Sequence, residues 1–173
     1  MNDAKILIAG VGNIFLGDDA FGVEVARRLL EKPTAPGVRV VDFGIRGLDL
    51  TYALLDGWDA AILIDAVARQ QAPGTLYLIE PEIEEPNPRE MAAASPLIDT
   101  HEMDPAKVLR LVRALGGDLR RLFLVGCEPT PFDVESDMAM SLSPAVQGAV
   151  ERAVEMVEEL VGRIRNSQVA AVQ

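Results

Sequence analysis

The residues able to do chemistry gather at the ends of apolar runs. Asp18 and Asp19 follow the run from Ile6 to Val11, after the turn residues Gly10, Gly12 and Asn13. Asp42 closes a short valine-rich run, and Asp65 closes AAILI. Cys127 and Glu128 follow a fifth apolar run ending at Gly126, and the chain's only histidine, His101, stands just before a helical stretch. Two carboxylates and one imidazole make a ligand set for a first-row divalent ion such as nickel, zinc or manganese. Three protein ligands leave positions open for a substrate. A carboxylate can also act as a general base toward water, and a thiol beside an imidazole can act as a nucleophile.

Each residue also has a plainer use. Asp18 and Asp19 suit the positive N-terminus of a helix, and Asp18 is assigned there first. Asp42 fits a turn, His101 an exposed loop or cap, and Cys127 a small buried hydrophobe. Asp65 resists such a reading, because a charge at the end of AAILI is costly unless paired or ligated. Gly10-Val-Gly12 resembles part of a dinucleotide fingerprint. Phe15 stands where the third glycine belongs, and the acidic pair would repel a pyrophosphate.

These residues need elements to hold them. The pattern predicts strands over Lys5 to Val11, Val38 to Phe43, Ala60 to Ile64, Thr75 to Ile79 and Leu122 to Gly126. Helices are expected over Asp19 to Glu31, Leu48 to Leu55 and Asp104 to Leu115, and from Pro144 behind a Ser143 cap. Gly22 inside the first helix signals close packing. Strands alternating with helices imply an α/β three-layer sandwich, with a five-stranded, mostly parallel twisted sheet and helices on both faces. About ten residues with a Pro73-Gly74 turn link strands three and four, too few for a parallel crossover. Strand four is therefore expected to run antiparallel at an edge. Ligands bind such sheets outside the carboxyl ends of the strands, where strand order reverses. Asp19, Asp42, Asp65, His101 and Cys127 all belong to that edge in this topology.

Length bounds the rest. A chain of 173 residues makes one domain with a core, expected over 1–165 with a flexible tail at 166–173. Hydrophobic residues make up 49%, against disorder, and a net charge of −11 argues against nucleic acid and anionic membranes. The single cysteine excludes an internal disulfide. With no apolar leader or spanning segment, a cytoplasmic monomer is the expectation.

Taken together, the motifs GVGNIFLGDDAFGVEV at 10–25, DFGIRGLDL at 42–50, ILIDAV at 62–67, THEMDP at 100–105, VGCEP at 125–129 and LSPAV at 142–146 resemble the hydrogenase maturation endopeptidases. The resemblance covers nearly the whole chain. It implies a five-stranded α/β fold and a protease that removes the C-terminal extension of a nickel-iron hydrogenase large-subunit precursor. It implies Asp19, Asp65 and His101 as metal contacts, to nickel carried by the substrate, although another divalent ion can occupy the site. Asp42, Gly44, Arg46 and Gly47 match a stretch tied to substrate recognition, here DFGIRG instead of the DGGT-like residues of other members. Asp19 or Asp42 is the expected catalytic base, and the alternative is metal-assisted hydrolysis, in which the metal polarises the scissile carbonyl or the water. The competing readings are a cysteine-type peptidase using Cys127 and His101, and a non-catalytic metal-binding maturation factor.

Overall fold

In the computed structural model, which describes residues 3–80, 105–131 and 140–170, the chain alternates strands and helices around one sheet. The strands are β1 (Ile6–Val11), β2 (Val38–Gly44), β3 (Ala60–Ala66), β4 (Leu76–Ile79) and β5 (Arg121–Cys127). The helices are α1 (Phe21–Leu30), α2 (Gly47–Leu54), α3 (Pro105–Ala114) and α4 (Pro144–Ala170). Strand order is β2-β1-β3-β5-β4. β1 pairs in parallel with β2 and β3, and β3 with β5, while β4 is antiparallel to β5. Order reverses between β1 and β3. That crevice carries the carboxyl ends from which Asp19 and Asp65 emerge.

β4 takes the antiparallel edge position as expected, but its neighbour is β5, not β3. β5 is buried along nearly its whole length, whereas β4 is half-exposed. The strand able to tolerate two covered faces takes the inner place, and the weaker one takes the edge.

Alternation along the strands builds a core on each face. Ile6, Ile8, Ile62, Ile64, Phe123 and Val125 pack against α1 and α4. Leu7, Ala9, Leu63, Leu122 and Leu124 face the other way, toward α2 and α3. α4 continues to Ala170, over part of the span expected as a tail. Ile164 is buried on the core, Arg165 reaches Asp3 at 3.2 Å, and the Ser167 hydroxyl donates to the Ile164 carbonyl.

Two glycines bring α1 against the sheet edge. A Cβ on Gly22 would lie 2.0 Å from the Ile64 carbonyl oxygen and 2.3 Å from that of Val11. A Cβ on Gly10 would meet the Gly22 carbonyl oxygen at 2.4 Å. Backbone cannot yield as a flexible side chain can, so Gly22→Ala is expected to cost about 3 kcal/mol through overpacking. Denaturant unfolding of the variant beside the parent measures that loss.

Candidate active site

Asp19 is set by the turn after β1. Gly12 adopts φ +139, and a Cβ there would lie 1.8 Å from the Asp19 carbonyl oxygen. Only glycine lets the loop fold back this closely. The Asn13 N–H donates to Asp19 Oδ2 at 2.7 Å, and the Phe15 N–H donates to Asn13 Oδ1 at 3.0 Å. Asp19 thus closes its own loop. The helix expected to begin at Asp19 instead opens with a 3-10 turn, Gly17–Ala20, and becomes α-helical at Phe21. The side chains of Asp18 and Asp19 are committed elsewhere, which favours the tighter turn.

Asp65, at the end of β3, is 3% exposed. The Ala66 N–H donates to its Oδ1 at 2.9 Å. Burial, followed by the charge of Asp19, holds the Asp65 carboxyl well above the ordinary carboxylate range, and the Ala66 N–H offsets this only in part. Two carboxylates therefore sense each other at the switch point of the sheet. Among the described residues, Asp19 Oδ1 and Asp65 Oδ2 take part in no hydrogen bond. Among the same residues, no three His, Cys, Asp or Glu side chains group so as to hold a metal ion. His101 lies outside the described residues.

Asp42 stands beside Gly10 in the β1–β2 register, just before an irregularity that carries the pairing from Asp42 to Gly44. The extra residue is Phe43, which turns into the core. The Asp42 carboxylate pairs with Arg27 Nε at 3.6 Å and is about one-third exposed. Arg46 folds back on its own loop. Its Nε donates to the Phe43 carbonyl at 3.1 Å, its Nη2 to the Asp42 carbonyl, and its Nη1 to Asp49 at 3.4 Å. Gly44 takes φ +55, and its carbonyl accepts the Gly12 N–H at 3.1 Å, tying the two loops together.

Asp18 does not serve the helix that follows it. It is 3% exposed, and it accepts from the Thr130 N–H at 2.9 Å, the Thr130 hydroxyl at 2.6 Å, the Ser143 N–H at 2.7 Å and the Ser143 hydroxyl at 2.9 Å. Burial works to raise its pKa, but these four bonds outweigh that and hold the carboxyl below its ordinary value. Asp18 therefore clamps the Asp19 turn to the segment after β5 and to the start of α4, whose N-terminus favours a negative charge.

Glu128 is a second clamp, whose role its place after an apolar strand does not reveal. It accepts from the backbone N–H groups of Arg69 and Gln70 and from the Tyr77 hydroxyl. Burial opposes its charge, yet these donors hold its carboxyl below the ordinary value. The loop after Asp65 is fixed by this side chain.

Cys127 is fully buried. Burial, then the charges of Asp18 and Glu128, push its thiol up to about 12. A nucleophilic cysteine needs the opposite shift. The cysteine-peptidase reading fails on this point, because the thiol is sealed in the core and held protonated. A Cys127→Ala variant is expected to keep the parent's rate of proteolysis within about twofold, a change set by packing alone; a precursor-processing assay checks it.

A family model described as hydrogenase maturation protease matches residues 23–160. The chain belongs to the hydrogenase maturation protease family. Among its relatives, the hydrogenase 2 maturation protease of Escherichia coli K12 is 32% identical over 170 residues, covering 97% of this chain and 95% of that protein. The hydrogenase expression/formation protein HupD of Rhodobacter capsulatus is 32% identical over 147 residues, covering 84% of this chain and 66% of that relative. The solved structure of the hydrogenase maturating endopeptidase HybD from E. coli matches with a TM-score of 0.70 at 27% identity, covering 92% of this chain and 93% of that one. Family membership turns the switch-point carboxylates of this maturation protease into candidates for an endopeptidase site. It also disfavours a non-catalytic metal-binding factor. No helix among the described residues is long and apolar enough to cross a membrane.

Proposed function

We propose that this protein is an endopeptidase that removes the C-terminal extension of a nickel-iron hydrogenase large-subunit precursor whose nickel is already in place. The observation that carries the reading is the placement of Asp65 at the carboxyl end of β3 and of the Asp19 turn after β1, on either side of the switch point of a sheet that belongs to this family. Asp19, Asp65 and His101 contact the nickel of the substrate at its open coordination positions. Carboxylate and imidazole donors suit that ion, and another divalent ion can take the same place. Among the described residues the Asn13 N–H donates to Asp19 Oδ2 and nothing bonds Oδ1, so Oδ1 is the atom Asp19 has to offer, and Asp65 is buried beside the same edge. Holding the metal holds the nearby peptide, so cleavage becomes effectively intramolecular. A precursor without nickel lacks this anchor, which makes the enzyme a checkpoint for metal insertion.

Hydrolysis then needs a base. Water attacks the scissile carbonyl carbon, a carboxylate takes its proton, and that proton passes to the leaving amine nitrogen as the C–N bond breaks. Asp19 and Asp42 are the candidates. Asp19 can act as the base only when its Oδ1 is not on the nickel, and Asp42 only when its ion pair with Arg27 opens. The Asp19→Ala and His101→Ala variants test the assignment. Each is expected to process nickel-loaded precursor on the order of 100-fold more slowly than the parent. Parent-like rates from both would remove these residues from the site.

A further inference from the structure

The stretch matched to substrate recognition divides in two once its contacts are known. Arg46 spends its donors on the Phe43 and Asp42 carbonyls and on Asp49. Gly47 is buried, and Gly44 bonds back to Gly12. These residues build the loop. Beside the exposed Arg46 and Asp49 the loop turns large apolar groups outward: Ile45 is 59% exposed, Leu48 46% and Tyr52 64%. Leu48 and Tyr52 lie one turn apart on α2 and share a face. On the neighbouring loop, between Asn13 and Asp19, Phe15 is 60% exposed and Leu16 36%. β1 and β2 are adjacent, and the Gly12 N–H to Gly44 carbonyl bond holds their two loops side by side. Most of the exposed large apolar side chains among the described residues therefore stand on the two segments that present Asp19 and Asp42.

We infer that Phe15, Ile45, Leu48 and Tyr52 form the docking surface for an apolar face of the precursor protein, next to the bond that is cut. The inference rests on the function proposed above and names what that substrate must present. Three observations carry it. The patch is continuous with the site, so a polypeptide reaching Asp19 and Asp65 lies beside it. Large apolar groups left exposed together mark interaction sites more often than single exposed ones do. The one cation in the loop, Arg46, is engaged inside its own segment, and the chain's net charge of −11 offers little to an acidic partner. The contact made by the apolar side chains themselves is non-ionic and depends weakly on salt.

The test uses purified full-length protein and purified nickel-loaded large-subunit precursor. Phe15→Asp, Ile45→Asp and Leu48→Asp are each compared with the parent, and Leu115→Asp, an exposed site beyond α3, serves as control. Each patch variant is expected to raise KM about tenfold or more with kcat within about twofold, as removal of an anchoring side chain does. Leu115→Asp is expected to leave both unchanged. The parent's KM is expected to change less than about twofold between roughly 50 and 300 mM salt. Phe15→Ser and Ile45→Ser repeat the test for any aspartate variant whose Tm falls. Unchanged KM in all patch variants, from a parent that does cleave, overturns the docking surface and leaves the proposed function standing. A steep salt dependence of KM also overturns it. A parent that never shortens the precursor overturns the function, and this surface with it.

Discussion

Asp65→Asn is expected to reduce precursor processing on the order of 100-fold while raising the protein's stability at neutral pH. The two effects have one cause. Asp65 is 3% exposed, closes the apolar run of β3 and stands near the charge of Asp19, so its carboxyl is held well above the ordinary range. In the unfolded chain it titrates near about 3.9. A carboxyl raised on folding costs stability at every pH above its unfolded value. The cost grows as pH rises from about 4 toward the folded pKa, and it disappears below about 4, where both states are protonated. Asparagine keeps the shape and removes the ionisation. The variant's gain in Tm should therefore be largest near neutrality and shrink as pH falls to about 4. Such a gain paired with lost function is the signature of a group retained for chemistry against stability. A stabilised variant that still processes precursor at the parent rate would mean that Asp65 is no part of the site. Thermal unfolding across that pH range and a processing assay decide it.

Asp18→Ala is expected to act in the opposite direction, lowering stability on the order of 3 kcal/mol, or roughly 6–12 °C in Tm for a chain of this size. Four donors point at this carboxylate from Thr130 and Ser143. Alanine leaves them to find other partners in a closed site, and a donor left without one costs more than a hydrogen bond is worth. Asp18→Asn is expected to fall between parent and alanine, because its amide donor faces groups that also donate. The pH dependence has the reverse sign to that of Asp65. The folded pKa of Asp18 is lowered, so its stabilisation is present above about 3.9 and is lost as pH falls through the lower folded value. Asp18→Asn should flatten this acid limb. Urea unfolding from about pH 7 to pH 2 follows it.

The contrast between these neighbours explains which parts of the site the sequence discloses. Asp65 is legible because a charge closes an apolar run and demands a reason. Glu128 sends the same signal after β5, yet it is a clamp on the Arg69–Gln70 backbone and Tyr77. Nothing in the run itself separates the two, because the difference lies in donors supplied by another loop. Asp18 reads naturally as a helix-terminus residue of α1, but its partners are 112 and 125 positions away. Such pairings depend on tertiary packing, which local pattern does not encode. The layered fold was legible, since alternating strands and helices admit few right-handed arrangements. The insertion of β5 between β3 and β4 was not, because the short link fixes direction without fixing the neighbour. Within DFGIRG, the arginine invites a recognition role, and only the structure shows that it also bonds to its own loop. The apolar residues around it become candidates for that role only once their exposure is known.

The central claim is that a carboxylate pair at the switch point, with His101, recognises nickel in the substrate and so licenses cleavage. It is tested most directly by mixing the purified protein with the same large-subunit precursor in nickel-loaded and nickel-free forms and following the length of the precursor. The expected result is a shortened large subunit from the nickel-loaded form alone, cut at one position. Equal shortening of both forms, or none of either, would contradict the account.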